Sequence, residues 1–242
     1  MGTTDLQPSK LGTREHWDGV YDEELRNFKD FGDEGEIWFG EESVGKMVSW
    51  TLENVPPRSD LSILEVGSGN GTLLFALVEE GYAANRLMGI DYSEGAVSLA
   101  SSIAETRSCE AISFHQLDFL KEQPPLLSNE QEAADGGAWD LILDKGTFDA
   151  ISLMQKDDNE KSPADDYPSR VAKLLKPGAY FLITSCNFTE AELQGKFVTP
   201  TTGLQYHSRI QHQTYTFGGK SGSICSSVAF SKPRPLNTAY NC

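Results

Sequence analysis

A glycine-rich stretch, Glu65-Val66-Gly67-Ser68-Gly69-Asn70-Gly71, separates a short apolar run from a helix-like one. Because glycine has no Cβ, such a stretch can bend sharply and let a ligand approach the backbone closely. A dinucleotide-binding loop of the G-x-G-x-x-G type would carry its third glycine where Thr72 stands. The G-x-G-x-G spacing therefore predicts a different ligand cradle, or a tight turn without a ligand. The candidate binding residues are Glu65, Gly67, Ser68, Gly69, Asn70 and Gly71.

Two acidic residues, each followed by an aromatic one, come where later strands are predicted to end. Asp91 lies about twenty residues beyond the glycines, where a carboxylate can accept both hydroxyl groups of a ribose. Tyr92 would then lie beside an adenine ring. Asp118 could hydrogen-bond the adenine amino group, and Phe119 could pack against the ring. Helix capping or a solvated surface turn is the competing interpretation of these acids.

The stretch from Asp144 to Ala150, with the sequence DKGTFDA, opens the loop after another predicted strand. Asp144 could orient an incoming amine and is the candidate catalytic residue. Lys145 could contact a bound cofactor. The alternative is an ion pair between the two side chains that closes the loop, which would contribute little at a surface.

Strands and helices alternate so that these residues would meet at one edge of a sheet. Strands are predicted at 61–66, 86–90, 112–116, 139–143 and 180–184, and helices at 43–52, 72–80, 93–104 and 167–175. Ser93 is the predicted N-cap of the helix at 93–104. Because parallel strands need helix-length connections, the fold class is α/β, with a mostly parallel, Rossmann-like sheet covered by helices on both faces. Residues 205–217 and 223–230 predict a C-terminal β-hairpin around Gly218 and Gly219. Ligands of such sheets bind beyond the carboxyl ends of the strands.

Length, composition and charge narrow the class of protein. The 242 residues are 38% hydrophobic and 23% charged, which fits one domain, with a helical N-terminal cap over 1–55 and a core over 56–242. A net charge of −16 argues against a general nucleic-acid-binding surface. The acidity suits a basic partner, and solubility alone is an equally good interpretation. The four cysteines form no Cys-x-x-Cys pair, so no metal site is expected. Without an apolar run that fits a signal peptide or a membrane helix, we expect a cytoplasmic protein that binds no membrane. The acidic stretch 121–138 is predicted to be an exposed loop.

Several stretches together resemble a known family. Glu65 to Gly71, Asp91-Tyr92, the 144–150 stretch and Thr184 to Phe188 resemble the class I lysine methyltransferases that act on translation elongation factor one-alpha. Residues 9–43 and 216–223 look closest to one subgroup of that family. The resemblance therefore covers nearly the whole chain.

In that family the aromatic residues of a W-D-x-x-Y element approach the cofactor. The resemblance implies this role for Trp17 and Tyr21. Together with Leu25, these residues also have the spacing of one face of an N-terminal helix, so packing in the core is an equally good interpretation.

The resemblance implies S-adenosylmethionine (SAM) as cofactor and elongation factor one-alpha as protein substrate. We expect a monomer. A neutral lysine amine would attack the sulfonium methyl in line. Since a free lysine has a pKa of about 10.4, its deprotonation near neutral pH costs about 4 kcal/mol. Burial beside a cationic sulfonium would lower that pKa.

Other functions remain as alternatives. They are a SAM-dependent methyltransferase that acts on a small molecule or on another protein, and a SAM-binding module without turnover. A short-chain NAD-dependent dehydrogenase is disfavoured by the loop spacing and by the lack of a Tyr-x-x-x-Lys pair. An arginine methyltransferase would need paired acids to hold a guanidinium, and no such pair is identifiable in the sequence.

Overall fold

The computed structural model describes residues 6–127, 137–213, 215–217, 220–222 and 224–234. In these ranges the α-helices are α1 (Arg14–Phe31), α2 (Gly40–Asn54), α3 (Thr72–Glu79), α4 (Glu94–Thr106), α5 (Thr147–Ser152), α6 (Tyr167–Leu174) and α7 (Glu190–Phe197). The strands are β1 (Ile63–Val66), β2 (Leu87–Asp91), β3 (Ser113–Gln116), β4 (Trp139–Lys145), β5 (Leu175–Ser185), β6 (Gln205–Ile210), β7 (Tyr215–Phe217), β8 (Lys220–Gly222) and β9 (Ser226–Ser231). Short 3-10 helices lie at Lys10–Gly12, Ala84–Arg86 and Pro163–Asp165.

Seven of the described strands form one sheet in the order β3-β2-β1-β4-β5-β9-β6. The strands β1 to β5 pair in parallel, and β9 runs antiparallel to both of its neighbours, β5 and β6. The prediction of a mostly parallel sheet is confirmed. Because the parallel strands end at one edge, the residues that follow β1, β2 and β4 meet there.

Helices cover both faces of the sheet, as predicted. Side chains alternate along β1, so that Leu64 and Val66 belong to one buried cluster and Ile63 to the other. The first cluster includes apolar side chains of α5, α6 and α7, and the second those of α1 to α4. The central strands β1, β2 and β4 are consequently buried on both sides, which explains their short runs of Ile, Leu and Val.

Some local predictions were wrong. The strand predicted at 180–184 begins five residues earlier, since β5 starts at Leu175, directly after the end of α6. The extension is held by distant partners, since Leu175 pairs with Trp139 and the Gly178 amide donates to the Lys232 carbonyl over 2.7 Å. Helix α7 was not predicted at all.

Two other predictions are correct in place but not in detail. Ser93 is the N-cap residue of α4, yet its hydroxyl makes no capping hydrogen bond. The C-terminal antiparallel hairpin is present, but each arm is divided, with β6 pairing with β9 and β7 with β8. Gly218 and Gly219, the predicted centre of the turn, lie outside the described residues. Half of the predicted acidic loop, residues 128–136, also lies outside them.

Among the described helices, none is both long and apolar enough to cross a membrane.

Candidate active site

A cavity of about 240 Å³ lies beyond the carboxyl ends of β1, β2 and β4. It brings together eleven of the residues that the sequence predicted for a ligand site. They are Trp17, Tyr21, Gly67, Ser68, Gly69, Asn70, Asp91, Tyr92, Asp118, Phe119 and Lys145. The other three predicted residues, Glu65, Gly71 and Asp144, are not in the lining.

The glycine loop has a backbone that only glycine adopts easily. Gly67 and Gly69 have φ angles of 66° and 53°, in the left-handed region. A Cβ at Gly69 would lie 2.5 Å from the hydroxyl of Tyr21, and one at Gly67 would overlap the side chain of Thr147. The amides of Gly67 and Ser68 both donate to the Ile90 carbonyl, at 2.8 and 3.0 Å. These bonds fix the loop to the end of β2.

The carboxylate of Asp91 is hydrogen-bonded to the glycine loop. Its Oδ2 accepts a hydrogen bond from the Gly69 amide at 3.1 Å, and its Oδ1 accepts one from the Ser93 amide at 3.0 Å. The side chain is buried, and this burial raises the pKa of Asp91 to about 6. A carboxylate has about four acceptor positions, so capacity for further donors remains.

Lys145 is a half-buried basic side chain in the cavity wall. Its Nζ donates to the Trp38 carbonyl at 3.2 Å. Glu65 is buried nearby, and its Oε2 has no hydrogen-bond partner among the described residues. Burial lowers the pKa of Lys145 and raises that of Glu65 to about 8, while the attraction between the two groups opposes both shifts.

Asp118 and Phe119 follow β3, the strand that lies beyond β2 in the sheet. Asp118 pairs with Lys121 at 2.8 Å and accepts a bond from the Leu120 amide at 3.0 Å. Phe119 is buried, with its ring centre 5.0 Å from that of Tyr167. Both side chains line the cavity, and Phe119 is also packed in the core.

Trp17 and Tyr21 lie one turn apart on α1 and satisfy both interpretations of their spacing. They line the cavity, and they also pack against the core, with ring centres 6.1 Å apart. The indole of Trp17 donates to the Leu11 carbonyl at 2.7 Å. Burial, followed by the charge of Asp91, raises the pKa of Tyr21 well above its ordinary value.

Asp144 lies below the cavity rather than in its wall. Its carboxylate is fully buried and accepts hydrogen bonds from the Thr147 amide at 2.8 Å, the Phe148 amide at 3.0 Å and the Tyr167 hydroxyl at 2.5 Å. Burial raises the pKa of Asp144 to about 7. The carboxylate therefore holds the first turn of α5, and this enclosure argues against the predicted contact with an incoming amine. Asp144 and Lys145 also form no ion pair in the described structure, because adjacent residues of a strand point to opposite faces.

Comparison with known proteins identifies the family of this chain. A family model described as a methyltransferase domain matches residues 57–219. The chain is 39% identical over 228 residues to mouse EEF1A lysine methyltransferase 2, covering 94% of this chain and 86% of that protein. It is 40% identical over 237 residues to the protein-lysine N-methyltransferase efm4 of Schizosaccharomyces pombe, covering 93% of this chain and 95% of that protein. The chain belongs to this family of protein-lysine methyltransferases.

The fold of the methyltransferase also agrees with solved structures. N-methyltransferase NodS from Bradyrhizobium japonicum, in complex with S-adenosylhomocysteine (SAH), matches with a TM-score of 0.59 and 18% identity. The match covers 90% of this chain and 99% of that one. The Rossmann-like methyltransferase fold predicted from the sequence is thereby confirmed.

The methyltransferase has further cavity residues for which the sequence predicted no role. A covering segment, residues 33–39, connects α1 to α2 and contributes Trp38 and Phe39 to the cavity wall. Asn70 Nδ2 donates to the Glu34 carbonyl at 3.0 Å, and a carboxylate oxygen of Glu24 accepts from the Glu36 amide at 3.0 Å. These partners are distant in sequence, so no local pattern could have identified the contacts.

Leu11, Ile151 and Met154 complete an apolar part of the wall. The 3-10 helix at Lys10–Gly12 is held against the end of α5, where the Ser9 amide donates to the Leu153 carbonyl at 3.1 Å. The cavity is thus enclosed by N-terminal elements on one side and by the strand ends on the other.

Proposed function

We propose that the cavity binds SAM and that the protein transfers its methyl group to a lysine of translation elongation factor one-alpha, acting as a monomer in the cytoplasm. The proposal is carried by Asp91, a buried carboxylate at a strand end that is bonded to the amide of Gly69 in the glycine loop. An acid at this position suits the two hydroxyl groups of a ribose. When bound, SAM supplies an electrophilic methyl group on a sulfonium.

The polar groups of the cavity fit such a ligand. Asp91 retains acceptor capacity beyond its backbone bonds. The Ser68 hydroxyl and the Trp38 indole N–H are buried without a hydrogen-bond partner among the described residues. Buried polar groups are usually satisfied, so unpaired ones around a cavity suit a polar ligand. Gly67 and Gly69 keep the loop free of side chains that would fill the space.

Charge is also arranged for a zwitterionic ligand. Three basic side chains line the cavity in the described part of the chain. Arg14 pairs with Asp18 at 3.2 Å and Lys121 with Asp118 at 2.8 Å, whereas Lys145 bonds only a carbonyl, that of Trp38. Lys145 is therefore the basic group best suited to the carboxylate of the amino-acid part. Asp118, Phe119 and Tyr92 are expected at the adenine.

The acceptor lysine must lose its proton before it can attack. Burial of an amine in the apolar part of the cavity lowers its pKa, as does a nearby positive charge. Because Asp144 is enclosed, we assign it a structural role, that of holding α5 in place. Alignment and desolvation in the cavity then supply the catalysis, without a strong base.

The protein substrate is inferred from the relatives, whose names give EEF1A and protein lysine as their targets. The net charge supports a basic partner, and it is concentrated near the cavity. Residues 14–42, which include α1 and the covering segment, contain 11 acidic and 3 basic residues, a net charge of −8 out of −16. Complementary charge accelerates the encounter with a basic target.

The test is transfer of label from methyl-labelled SAM to purified elongation factor one-alpha, followed by mapping of the modified residue. We expect label on one lysine with the wild-type protein and none with Asp91→Asn. The matched control is Glu94→Gln, an exposed acid at the start of α4. It changes the charge equally and should leave transfer intact.

Other results would redirect the proposal. SAH binding without labelled protein would leave the fold and the cofactor but withdraw the lysine substrate. Label on another cytosolic protein, with none on the elongation factor, would keep the reaction and replace the target.

A further inference from the structure

Phe39 has a backbone conformation that a bulky residue rarely adopts. Its φ is 66° and its ψ is 4°, in the left-handed region. It is also the N-cap residue of α2 and makes no side-chain capping bond. The left-handed region disfavours residues with a Cβ, and N-cap positions favour Ser, Thr, Asp or Asn. Both local preferences oppose phenylalanine here, a conflict that persists mainly where surrounding structure enforces it, often at functional sites.

The surroundings do enforce it. The Phe39 ring lies against Gly146, where an added Cβ would overlap the ring. Gly146 is the N-cap residue of α5 and has a φ of 92°. The preceding residue, Trp38, is held by the bond from Lys145 to its carbonyl. Phe39 is therefore fixed between the start of α2 and the start of α5.

This placement puts an apolar wall beside the loop after β4. We define the apolar wall as Trp38, Phe39, Ile151 and Met154, all of which line the cavity. Trp38 is supported from behind by Trp17, with ring centres 4.8 Å apart. The wall is separate in sequence from the glycine loop and from Asp91, which are expected to hold the nucleoside.

We propose that the apolar wall receives the side chain of the acceptor lysine, and that Phe39 is the aromatic residue that positions it. The inference rests on the proposed function. A lysine side chain has four methylene groups that gain from contact with an apolar surface. Its amine must be desolvated to become neutral, and apolar surroundings favour the neutral form. Transfer would form the N–C bond and break the S–C bond of the sulfonium, leaving SAH and a cationic methylated nitrogen. Aromatic faces such as those of Trp38 and Phe39 stabilise a cation.

The experiment compares Phe39→Gly and Phe39→Leu with the wild-type protein. Glycine accepts the left-handed backbone, so the first variant removes the ring without straining the chain. The matched control is Phe31→Ala, since Phe31 is 82% exposed at the end of α1. For each protein, SAH affinity is measured by calorimetry, and kcat and KM are measured with elongation factor one-alpha as acceptor.

We expect Phe39→Gly to lower kcat/KM for the acceptor about 30-fold, as removal of an aromatic anchor does, with SAH affinity unchanged within about twofold. Phe39→Leu should recover most of the loss, and Phe31→Ala should match the wild type. A parallel loss of SAH affinity would overturn the inference by assigning the wall to the cofactor. An unchanged kcat/KM would overturn it while leaving the proposed function intact. Absence of lysine labelling by the wild-type protein would withdraw both.

Discussion

Replacement of Asp91 by asparagine should separate the stability of the protein from its ligand binding. The carboxylate is buried, and its pKa is raised from 3.8 to about 6. A raised pKa in the folded state means that the folded protein holds the proton more tightly than the unfolded chain. The contribution of the protonated Asp91 to the free energy of unfolding is therefore fully present below pH 4 and is lost as the pH rises through about 6.

The shift sets the size of the effect. The rise in the pKa of Asp91, from 3.8 to about 6, corresponds to a loss of about 3 kcal/mol in the free energy of unfolding at pH 8, relative to low pH. About half of this loss is already present at pH 5. Asparagine does not titrate and lacks this contribution. The free energy of unfolding of Asp91→Asn, relative to that of the wild type, should therefore rise by about 1.4 kcal/mol between pH 5 and pH 8.

Ligand binding should change in the opposite direction. In the wild type, each carboxylate oxygen of Asp91 accepts a hydrogen bond from a backbone amide. An asparagine has one acceptor oxygen, so its NH2 group would face one of these amides, and both groups are donors. Loss of charged hydrogen bonds to the ligand should cost about 3 kcal/mol, or about 150-fold in SAH affinity.

The assay is urea denaturation of ligand-free protein at pH 5 and pH 8, together with calorimetric titration of SAH. Glu94→Gln serves as the control, because its side chain is exposed and its change in charge is the same. Equal stability differences at the two pH values would refute the reasoning about the buried charge. SAH affinity within threefold of the wild type would refute the role of Asp91 in the ligand site.

Three further predictions follow from described contacts. Tyr167→Phe removes the hydroxyl that donates to Asp144, so the free energy of unfolding in urea should fall by about 1.5–3 kcal/mol at pH 8.5 and by less at pH 6, where the carboxyl is protonated. Lys145→Met should weaken SAH binding, as measured by calorimetry. The SAH affinity of the wild type should fall as the pH rises through the lowered pKa of Lys145, because only the protonated amine attracts a carboxylate. The affinity of the variant should show no such dependence on pH. Gly69→Ala places a Cβ on a residue with left-handed backbone, so it should abolish SAH binding and lower the thermal midpoint of unfolding. The control is Gly19→Ala in α1, where the added Cβ would meet no atom within 4 Å. This variant should raise the thermal midpoint slightly.

The sequence was sufficient to locate the parallel strands along the chain and to identify the residues at their ends. Buried strands carry runs of Leu, Ile and Val, and the glycines and Asp91 follow them directly. The parallel pairing of β1 with β2 and β4 then gathers these residues at one edge. Short-range pattern and topology rules agree here, so most of the predicted ligand residues line one cavity.

Asp144 shows where local pattern is insufficient. Its position after an apolar strand suggested a reactive carboxylate, but strand alternation turns it toward Tyr167 and leaves Lys145 on the cavity side. The orientation depends on which face of β4 is covered by α5, and that is decided by packing elsewhere in the chain.

Helix α7 was missed although a signal was present. Thr189 and Glu192 form a capping box, in which the Glu192 amide donates to the Thr189 hydroxyl at 3.3 Å and the Thr189 amide donates to the Glu192 carboxylate at 2.9 Å. The Thr-x-x-Glu pattern marks such a start in sequence. The extension of β5, in contrast, rests on Lys232, far along the chain, and has no local signal.

The position of β9 has a consequence for how the protein is made. β9 follows β6 in the chain but lies between β6 and β5 in the sheet. On a ribosome, β6 emerges first and must wait for β9, an interval of about one to four seconds at ordinary rates of synthesis. An unpaired strand can recruit strands of neighbouring chains. The sequence of β6, Gln-Tyr-His-Ser-Arg-Ile, is largely polar, and its arginine and histidine make premature pairing with another nascent chain less favourable.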